Sequence, residues 1–298
     1  MIDIAELRPG PCKFLDVRRA ELAALPFERI SLRALSPTIG AEIGGVDLTQ
    51  PIDDATFAEV ERAFLAHKVV FFRGQPISAQ QQLAFAQRFG ALDEHPFLPA
   101  KDGRPDVVRF EKSEVTAGVE NIWHSDVSWR ELPPLGSMLH AIDVPEVGGD
   151  TLWADMEAAY EGLSDEVRER IEGLEAVHDF ANTFGRALSP EKLAENRRRF
   201  PPVAHPVVRT HPVTGRRSIY VNAIFTSHIV GLEPEQSDAL LRLLCAQAHV
   251  PEYQCRFRWE GDSVALWDNR SAQHYAASDY WPRRRVMERV AIIGDRPF

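Results

Sequence analysis

Apolar residues recur at helical spacing in the first third of the chain and in short runs elsewhere, which predicts helices alternating with strands. A helix is expected after the capping pair Asp53-Asp54, where the apolar positions are Phe57, Val60 and Phe64. Val69 to Phe72 is continuously apolar and precedes Arg73-Gly74, which is typical of a buried strand. Ser78 is expected to begin a second helix that ends at Gly90.

The second half of the chain carries the same alternation with longer loops. Gly148-Gly149 predicts a turn before a strand at Asp150 to Trp153, and a proline in the first turn predicts a helix at 234–247. The expected buried side of that helix is Leu240, Leu241, Leu243 and Leu244. Further helices are expected near 154–162 and 164–173, and further strands at Ser263–Trp267 and Arg285–Ile293.

The domain organisation follows from these elements. Residues 1–30 are expected to form an irregular lead-in, because Pro9-Gly10-Pro11 breaks any early element. No composition shift marks a linker, so residues 31–298 are interpreted as one domain. Helices around strands that are separated by long loops predict an α+β domain with a β-sandwich at its centre.

Composition places the chain in a broad class. Its 298 residues are 44% hydrophobic and 26% charged, which is typical of a soluble globular protein. The apolar runs are too short to cross a bilayer and no signal peptide is visible, so a cytoplasmic protein without a membrane partner is expected.

Charge and cysteine content exclude further classes. The formal net charge of −10 argues against a nucleic-acid partner, and the basic cluster Arg197 to Arg199 is interpreted as a solvated helix end. The three cysteines, Cys12, Cys245 and Cys255, form no closely spaced pair, which argues against a disulfide framework and a thiolate zinc site. Any metal is therefore expected to have nitrogen and oxygen ligands.

His124 and Asp126 provide such ligands at a spacing that favours a shared ion. Positions i and i+2 of an extended segment face the same side, so an imidazole and a carboxylate would point together. We expect His274 to supply the third ligand. Two histidines and one carboxylate leave three positions open, which is the arrangement of non-haem Fe(II) oxygenases.

Arg285 strengthens this interpretation because it follows His274 in a predicted strand. Its planar guanidinium suits two-point pairing with a carboxylate, whereas Arg283 and Arg284 are interpreted as solvated. A zinc hydrolase could use the same three ligands but would not need Arg285. A non-catalytic metal-binding module is the other alternative.

Taken together, these residues resemble the TauD/TfdA family of 2-oxoglutarate-dependent dioxygenases from Leu32 to Phe298. The motifs that carry the resemblance are Trp123-His124-Ser125-Asp126, Gly148 to Trp153, His205 to Pro212, Trp267 to Arg270 and His274 to Arg289. The resemblance implies a double-stranded β-helix (jelly roll) core with inserted and flanking helices. It also implies Fe(II), 2-oxoglutarate and O2, a small anionic organic substrate and a homodimer or homotetramer.

The same resemblance implies individual roles. The expected Fe(II) ligands are His124, Asp126 and His274. Thr151 and Arg285 are expected to hold the distal carboxylate of 2-oxoglutarate, which is converted to succinate and CO2 while the substrate is hydroxylated. Arg270 either helps to position the co-substrate or braces the turn before His274.

Arg289 is the expected anchor of the substrate, because in the most similar subgroup the arginine four residues after the co-substrate arginine binds a sulfonate. The even spacing puts Arg289 on the same face as Arg285, where a guanidinium needs an anion. His95 matches the histidine that assists it. The other positions expected to line the substrate cavity are Val127, Phe184, Phe225, Leu98 and Glu120.

Leu98 and Glu120 differ from the taurine-specific pattern. Leu98 stands where an aromatic hydroxyl helps to bind the amine, and it makes that end of the cavity drier. Glu120 stands where an amide is found, and it either pairs with an ammonium group or points to solvent while Asn121 takes the contact. Taurine, cleaved to sulfite and an aldehyde, is the leading substrate candidate. Another alkylsulfonate, an alkyl sulfate or a carboxylate such as an aryloxyacetate is the alternative.

Overall fold

The computed structural model describes residues 12–98, 100, 101, 103–116, 118 and 120–298. Its helices are α1 (Phe14–Ala23), α2 (Asp54–His67), α3 (Ala79–Ala86), α4 (Met156–Glu161), α5 (Asp165–Ile171), α6 (Pro190–Arg199) and α7 (Pro234–Ala246). Short 3-10 turns lie at Phe180–Asn182, Phe184–Ala187, Gln247–His249 and Pro251–Tyr253.

The strands are short except for three. They are β1 (Ser31–Ala34), β2 (Ala41–Gly44), β3 (Val69–Phe72), β4 (Leu92–Asp93), β5 (Ala100–Lys101), β6 (Arg104–Lys112), β7 (Gly136–Asp143), β8 (Thr151–Asp155), β9 (Glu175–His178), β10 (Val203–Pro206), β11 (Val208–Thr210), β12 (Arg217–Ile219), β13 (Thr226–Ile229), β14 (Gln254–Phe257), β15 (Val264–Asp268), β16 (Ala272–Ala276) and β17 (Arg285–Ile292). The chain is therefore a mixed structure of helices and sheets, as the pattern predicted.

Two of the sheets form the part of the fold that carries the site. The larger has nine strands in the order β1-β2-β3-β15-β7-β17-β6-β5, with β4 also paired to β17. The smaller has three strands in the order β14-β8-β16. Their pairings are antiparallel apart from β2 with β3. Strands β9, β10 and β13 form a third sheet, and β11 pairs with β12.

The two main sheets pack face to face through aromatic side chains. Phe71 of the larger sheet stacks on Phe257 of the smaller one with ring centroids 4.0 Å apart, and it also contacts Trp153 edge-on at 5.2 Å. Trp267 completes the layer against Trp153 at 5.9 Å. Burial of each such ring contributes about 1.5–3 kcal/mol or more to folding, so this layer fixes the two sheets against each other.

The alternation of side chains along β17 places two arginines inside this sandwich. Met287 belongs to the core cluster between the sheets, whereas Val290 and Ile292 belong to the cluster on the outer face, under α2 and α3. Because successive strand residues face opposite sides, Arg285 and Arg289 share the inner face with Met287.

The predicted helix starts are confirmed. The Asp53 carboxylate accepts hydrogen bonds from the backbone N–H groups of the first turn of α2, and Ser78 forms a reciprocal capping box with Gln81 at the start of α3. Ser164 caps α5. However, α3 ends at Ala86 rather than at Gly90, with separate turns covering the residues between. The basic cluster forms the exposed last turn of α6, as expected.

Two further local predictions are wrong. The lead-in contains helix α1, because the proline-glycine segment precedes the helix rather than interrupting it, and Leu15 and Leu22 bury an apolar stripe against the protein. Residues 1–11 lie outside the described residues. In α7, Leu240 and Leu244 are buried, but Leu243 is 40% exposed because it lies on the solvent face of the helix. Within the part of the chain that the structure describes, no helix is long and apolar enough to cross a membrane.

Candidate active site

A cavity of about 300 Å³ opens between the two main sheets. Its lining includes twelve of the thirteen residues that the sequence singled out, namely His95, Leu98, Glu120, His124, Asp126, Val127, Thr151, Phe184, Phe225, His274, Arg285 and Arg289. The remaining residue, Arg270, is not part of the lining. The cavity therefore collects side chains from distant parts of the chain around one space.

Backbone pairing brings the two histidines together. His124 and His274 exchange both of their backbone hydrogen bonds, at 3.1 and 2.8 Å, in an isolated antiparallel bridge. Their rings lie side by side with centroids 4.2 Å apart. Asp126 approaches from the following turn, and its Oδ1 lies 4.0 Å from the Nε2 of each histidine. The possible ligand atoms of the three residues all lie within 4.8 Å of one another.

The tautomer of His124 is set by its backbone contact. Its Nδ1 lies 2.8 Å from the carbonyl oxygen of Ile122. A carbonyl can only accept a hydrogen bond, so Nδ1 carries the proton and the lone pair lies on Nε2, towards Asp126. Burial lowers the pKa of both His124 and His274, the latter to about 3, so both rings are neutral and able to bind a metal.

Asp126 is oriented by hydrogen bonds to both carboxylate oxygens. The hydroxyl of Ser137 donates to Oδ2 at 2.8 Å, and Nη1 of Arg289 donates to Oδ1 at 2.6 Å. Asn269 accepts from the Asp126 backbone N–H and from the indole of Trp267 through the same oxygen, at 3.3 and 2.9 Å. Burial opposes ionisation of Asp126, but Arg289 and the two histidines outweigh it and hold the pKa of this carboxyl well below its usual value.

Val127, directly after Asp126, has an unusual backbone conformation. Its φ of +51° lies in the left-handed region, which is costly for a β-branched residue and is found where surrounding contacts enforce it. The next residue supplies such contacts, because Ser128 Oγ lies 2.9 Å from Nδ1 of buried His178 and accepts from Asn222 at 2.9 Å. This network holds the turn that points Asp126 and Val127 into the cavity.

The donor set fits Fe(II). Two neutral imidazoles and one carboxylate, converging from the bridge and the turn, match the ligand type and number of a 2-His-1-carboxylate site with open positions. Nitrogen and oxygen donors without thiolate disfavour the ions that prefer sulfur.

Arg285 lines the same cavity and fits a carboxylate ligand. It is buried, yet its Nε and Nη2 have no hydrogen-bond partner among the described residues. Gly149 leaves the space it needs, since a Cβ at that position would lie 3.1 Å from the Cδ of Arg285. Thr151 also lines the cavity, and its hydroxyl oxygen accepts from Trp259 Nε1 at 2.9 Å, which leaves its proton free to donate.

Arg289 faces the cavity as its spacing predicted, but its partner was not foreseen. The strand spacing predicts an external anion as the partner of this guanidinium, whereas the structure pairs it with Asp126. Its Nε has no partner among the described residues. His95 lies beside it, and burial followed by the charge of Arg289 lowers the pKa of His95 to about 3. Nδ1 of His95 accepts from the backbone N–H groups of Phe97 and Leu98, so the neutral ring carries its proton on Nε2.

The wall near Arg289 is apolar. Phe184 and Phe225 stack at 6.3 Å, and Val127 and Phe225 also belong to an aromatic cluster with Trp129 and Phe180. These phenylalanines therefore serve the core and line the cavity at once. Leu98 adds a further apolar side chain to the lining.

Glu120 has a protein partner in this cavity. Its Oε1 lies 2.7 Å from Nζ of Lys112, whose side chain is 15% exposed. Among the described lining residues the carboxylates are Glu120 and Asp126. The sequence did not identify Lys112 as a residue of the site. The strand register identifies it, because Lys112 stands directly opposite Arg285 in the pairing of β6 with β17.

Arg270 braces the turn before His274 rather than lining the cavity. Its Nε and Nη2 donate to the two oxygens of Asp268 at 2.8 and 2.6 Å, and Asp268 in turn contacts His211 Nε2 at 3.0 Å. These contacts favour the bracing role, because two of the guanidinium nitrogens bind Asp268 and Arg270 does not line the cavity. Other lining residues that the sequence did not single out include Phe110, Leu139, Ile224, Ser278, Tyr280 and Met287.

Comparisons with known proteins agree with this arrangement. Residues 31–291 match the family described as taurine catabolism dioxygenase TauD, TfdA family. The chain is 37% identical to an alkylsulfatase of Acinetobacter baylyi, over 91% of this chain and 87% of the relative. It is also 37% identical to an alpha-ketoglutarate-dependent sulfate ester dioxygenase of Pseudomonas putida, over 93% and 94%.

A solved structure gives the same result. The crystal structure of a taurine dioxygenase from Burkholderia xenovorans superposes with a TM-score of 0.79 at 38% identity, covering 91% of this chain and 93% of that one. The chain thus belongs to the TauD/TfdA family, the dioxygenases that use Fe(II), 2-oxoglutarate (alpha-ketoglutarate) and O2.

Proposed function

We propose that this dioxygenase oxidises alkyl sulfate esters and releases inorganic sulfate and an aldehyde. The observation that carries the proposal is the composition of the cavity beside the triad. It offers a guanidinium and a neutral histidine for an anion, apolar walls for a carbon chain, and no carboxylate without a protein partner among its described residues.

His124, Asp126 and His274 would hold Fe(II), and Arg285 with the Thr151 hydroxyl would hold the distal carboxylate of 2-oxoglutarate. When bound, Fe(II) and 2-oxoglutarate would supply the oxidising chemistry: O2 is consumed, 2-oxoglutarate becomes succinate and CO2, and one oxygen atom enters a C–H bond of the substrate. The burial of both arginines on β17 excludes water from the charge pairs that they form. We also infer that the two packed sheets form the jelly-roll core of a single domain spanning residues 31–298.

Arg289 and His95 would bind the sulfate group. The guanidinium supplies Nε, which has no partner among the described residues, and His95 supplies its Nε2 proton. A sulfate has three terminal oxygens that accept such bonds, and charge-assisted bonds of this kind are the strong ones. The anion would then hold the adjoining carbon near the triad while the chain lies along Val127, Phe184 and Phe225.

Taurine fits this cavity less well than an alkyl sulfate. Its ammonium group would need an acceptor, yet Leu98 is apolar and Glu120 is paired with Lys112. An ammonium buried without a partner is costly. The two relatives named for sulfate esters support the same preference. A sulfonate remains the second candidate, because the superposed structure is that of a taurine dioxygenase and taurine is a sulfonate.

The products follow from the bond that is oxidised. Hydroxylation of the carbon that carries the sulfate ester oxygen gives a hemiacetal sulfate. Its C–O bond to the sulfate breaks as the hydroxyl loses its proton, which leaves an aldehyde, inorganic sulfate and one proton. The overall reaction converts alkyl sulfate, 2-oxoglutarate and O2 into aldehyde, sulfate, succinate and CO2.

The test is a substrate panel scored by succinate that depends on the added substrate. The panel contains hexyl sulfate, octyl sulfate, hexanesulfonate, taurine and 2,4-dichlorophenoxyacetate. Each compound is assayed with wild type, with Arg289→Gln and with the matched control Arg283→Gln, whose arginine is exposed. The sulfate esters should give the highest kcat/KM, and only Arg289→Gln should lose it. Faster turnover of taurine or of the carboxylate would overturn the assignment.

A further inference from the structure

Asp126 Oδ1 faces both the charged guanidinium of Arg289 and the neutral imidazoles of His124 and His274. Arg289 Nη1 donates to it at 2.6 Å, and the Nε2 atoms of His124 and His274 each lie 4.0 Å from it. Oδ2 is taken by the hydroxyl of Ser137 at 2.8 Å. A metal ion bound between the histidines therefore meets the same carboxylate oxygen that the guanidinium contacts.

The guanidinium cannot remove this conflict by losing its proton, because arginine stays charged in proteins. Asp126 and Arg289 are 4% and 7% exposed, so water screens them poorly. One carboxylate charge is then divided between a divalent cation and an arginine. Two cations on one oxygen repel each other unless a further anion compensates the arginine.

We propose that Arg289 couples metal affinity to the anionic part of the substrate. Without an anion the guanidinium weakens metal binding by competing for Asp126 Oδ1. An anion on Arg289 compensates its charge and draws it from that oxygen, so the metal binds more tightly. By linkage, the metal must tighten anion binding by the same factor. This inference rests on the proposed function, since it takes the metal at the triad and the anion at Arg289.

The role differs from that of Arg285, which lies on the same strand. Among the described residues, no hydrogen bond or ion pair joins Arg285 to a triad residue, and its Nε and Nη2 lack partners. Anion binding at Arg285 should therefore leave metal affinity nearly unchanged. The two arginines provide an internal comparison within one cavity.

The experiment measures Mn(II) affinity without turnover, through the electron paramagnetic resonance signal of free Mn(II). Inorganic sulfate is the anion probe, and chloride at equal ionic strength is the reference. In wild type, sulfate should tighten Mn(II) binding by roughly tenfold, within the usual range of coupling. Arg289→Gln should bind Mn(II) more tightly than wild type in chloride and should lose the response to sulfate. Arg283→Gln and Arg285→Gln should keep that response.

The outcomes separate this inference from the proposed function. Mn(II) binding by wild type that ignores sulfate overturns the coupling and leaves the metal site intact. Equal or weaker Mn(II) binding by Arg289→Gln in chloride shows that Arg289 supports Asp126 instead of competing, which also overturns it. Loss of the sulfate response in Arg285→Gln would show that sulfate acts through Arg285, which overturns the role proposed for Arg289. Absence of Mn(II) binding in wild type refutes the proposed metal site itself. The wild-type comparison does not depend on the folding of any variant.

Discussion

Replacement of Arg285 by methionine should stabilise the protein in the absence of 2-oxoglutarate and abolish its stabilisation by 2-oxoglutarate. The guanidinium is buried and leaves Nε and Nη2 without partners among the described residues. Burial already lowers the pKa of this arginine, which shows that its charged form is disfavoured in the fold. Methionine fills a similar volume without a charge.

The magnitude follows from the unmade hydrogen bonds. Each buried donor without a partner costs about 1–3 kcal/mol. The loss of the weak contact of Arg285 with the Tyr280 ring, at 5.8 Å, offsets about 0.5–1 kcal/mol of the gain. Two such donors cost about 2–6 kcal/mol together, so a net gain of about 1–5 kcal/mol is expected. It should raise Tm by about 2–4 °C per kcal/mol for a domain of this size class.

The assay is thermal unfolding with Mn(II) and without O2, with and without 2-oxoglutarate. Wild type should gain about 2.7 kcal/mol at a ligand concentration one hundred times Kd, whereas Arg285→Met should gain nothing. Loss of a buried charge pair costs about 2–5 kcal/mol, which corresponds to an increase in KM for 2-oxoglutarate of about 30-fold or more. Arg283→Met, at an exposed position, is the matched control. A variant that is less stable than wild type without ligand, or that retains the ligand-induced shift, refutes the reasoning.

Three further predictions concern the surroundings of the cavity. Ser137→Ala removes the hydrogen bond to Asp126 Oδ2 and should weaken Mn(II) binding by about 10–100-fold, with an unchanged circular dichroism spectrum. An unchanged Mn(II) affinity would show that the Ser137 hydroxyl does not orient the carboxylate. Asn222→Ala removes the donor to Ser128 in the network behind the Val127 turn and should lower the free energy of unfolding, measured in urea, by about 1–3 kcal/mol. An unfolding free energy equal to that of wild type would show that this hydrogen bond does not stabilise the turn. Burial lowers the pKa of His67 to about 4, so between pH 6.5 and 4 the unfolded chain binds a proton that the folded protein refuses, and stability should fall as the pH drops. His67→Gln should flatten this decline by up to about 3 kcal/mol, and an identical pH profile would contradict the assignment.

Local features of the fold could be predicted from the sequence because short-range chemistry determines them. Asp53, Ser78 and Ser164 cap helices where a small polar residue precedes an apolar periodic run. The even spacing of Arg285 and Arg289 placed both on one face because strand side chains alternate. The convergence of the cavity residues followed from the resemblance to a family, which carries long-range information that periodicity lacks.

Long-range contacts account for what the sequence did not predict. Strand β6 contains several charged residues and gives no clear strand signal, and five of its nine residues, 108–112, are held by pairing with β17. Arg289 meets Asp126 across 163 positions of the chain, and Asn222 meets Ser128 across 94. Val127 has a positive φ directly before Ser128, which makes the second of these contacts, and β-branched residues rarely adopt that conformation, so no local rule would assign it. The partner of each buried polar group is fixed by tertiary packing, not by its neighbours in sequence.

The most direct test of the account measures succinate and inorganic sulfate in the same reaction, with Fe(II), 2-oxoglutarate, O2 and octyl sulfate. The account predicts that both products form in a one-to-one ratio, that neither forms without O2, and that Asp126→Ala forms neither. Sulfate released without succinate or without O2 would instead indicate hydrolysis and contradict the proposal. Succinate formed at the same rate with and without octyl sulfate, and with no sulfate, would show that the chain is a dioxygenase of another substrate.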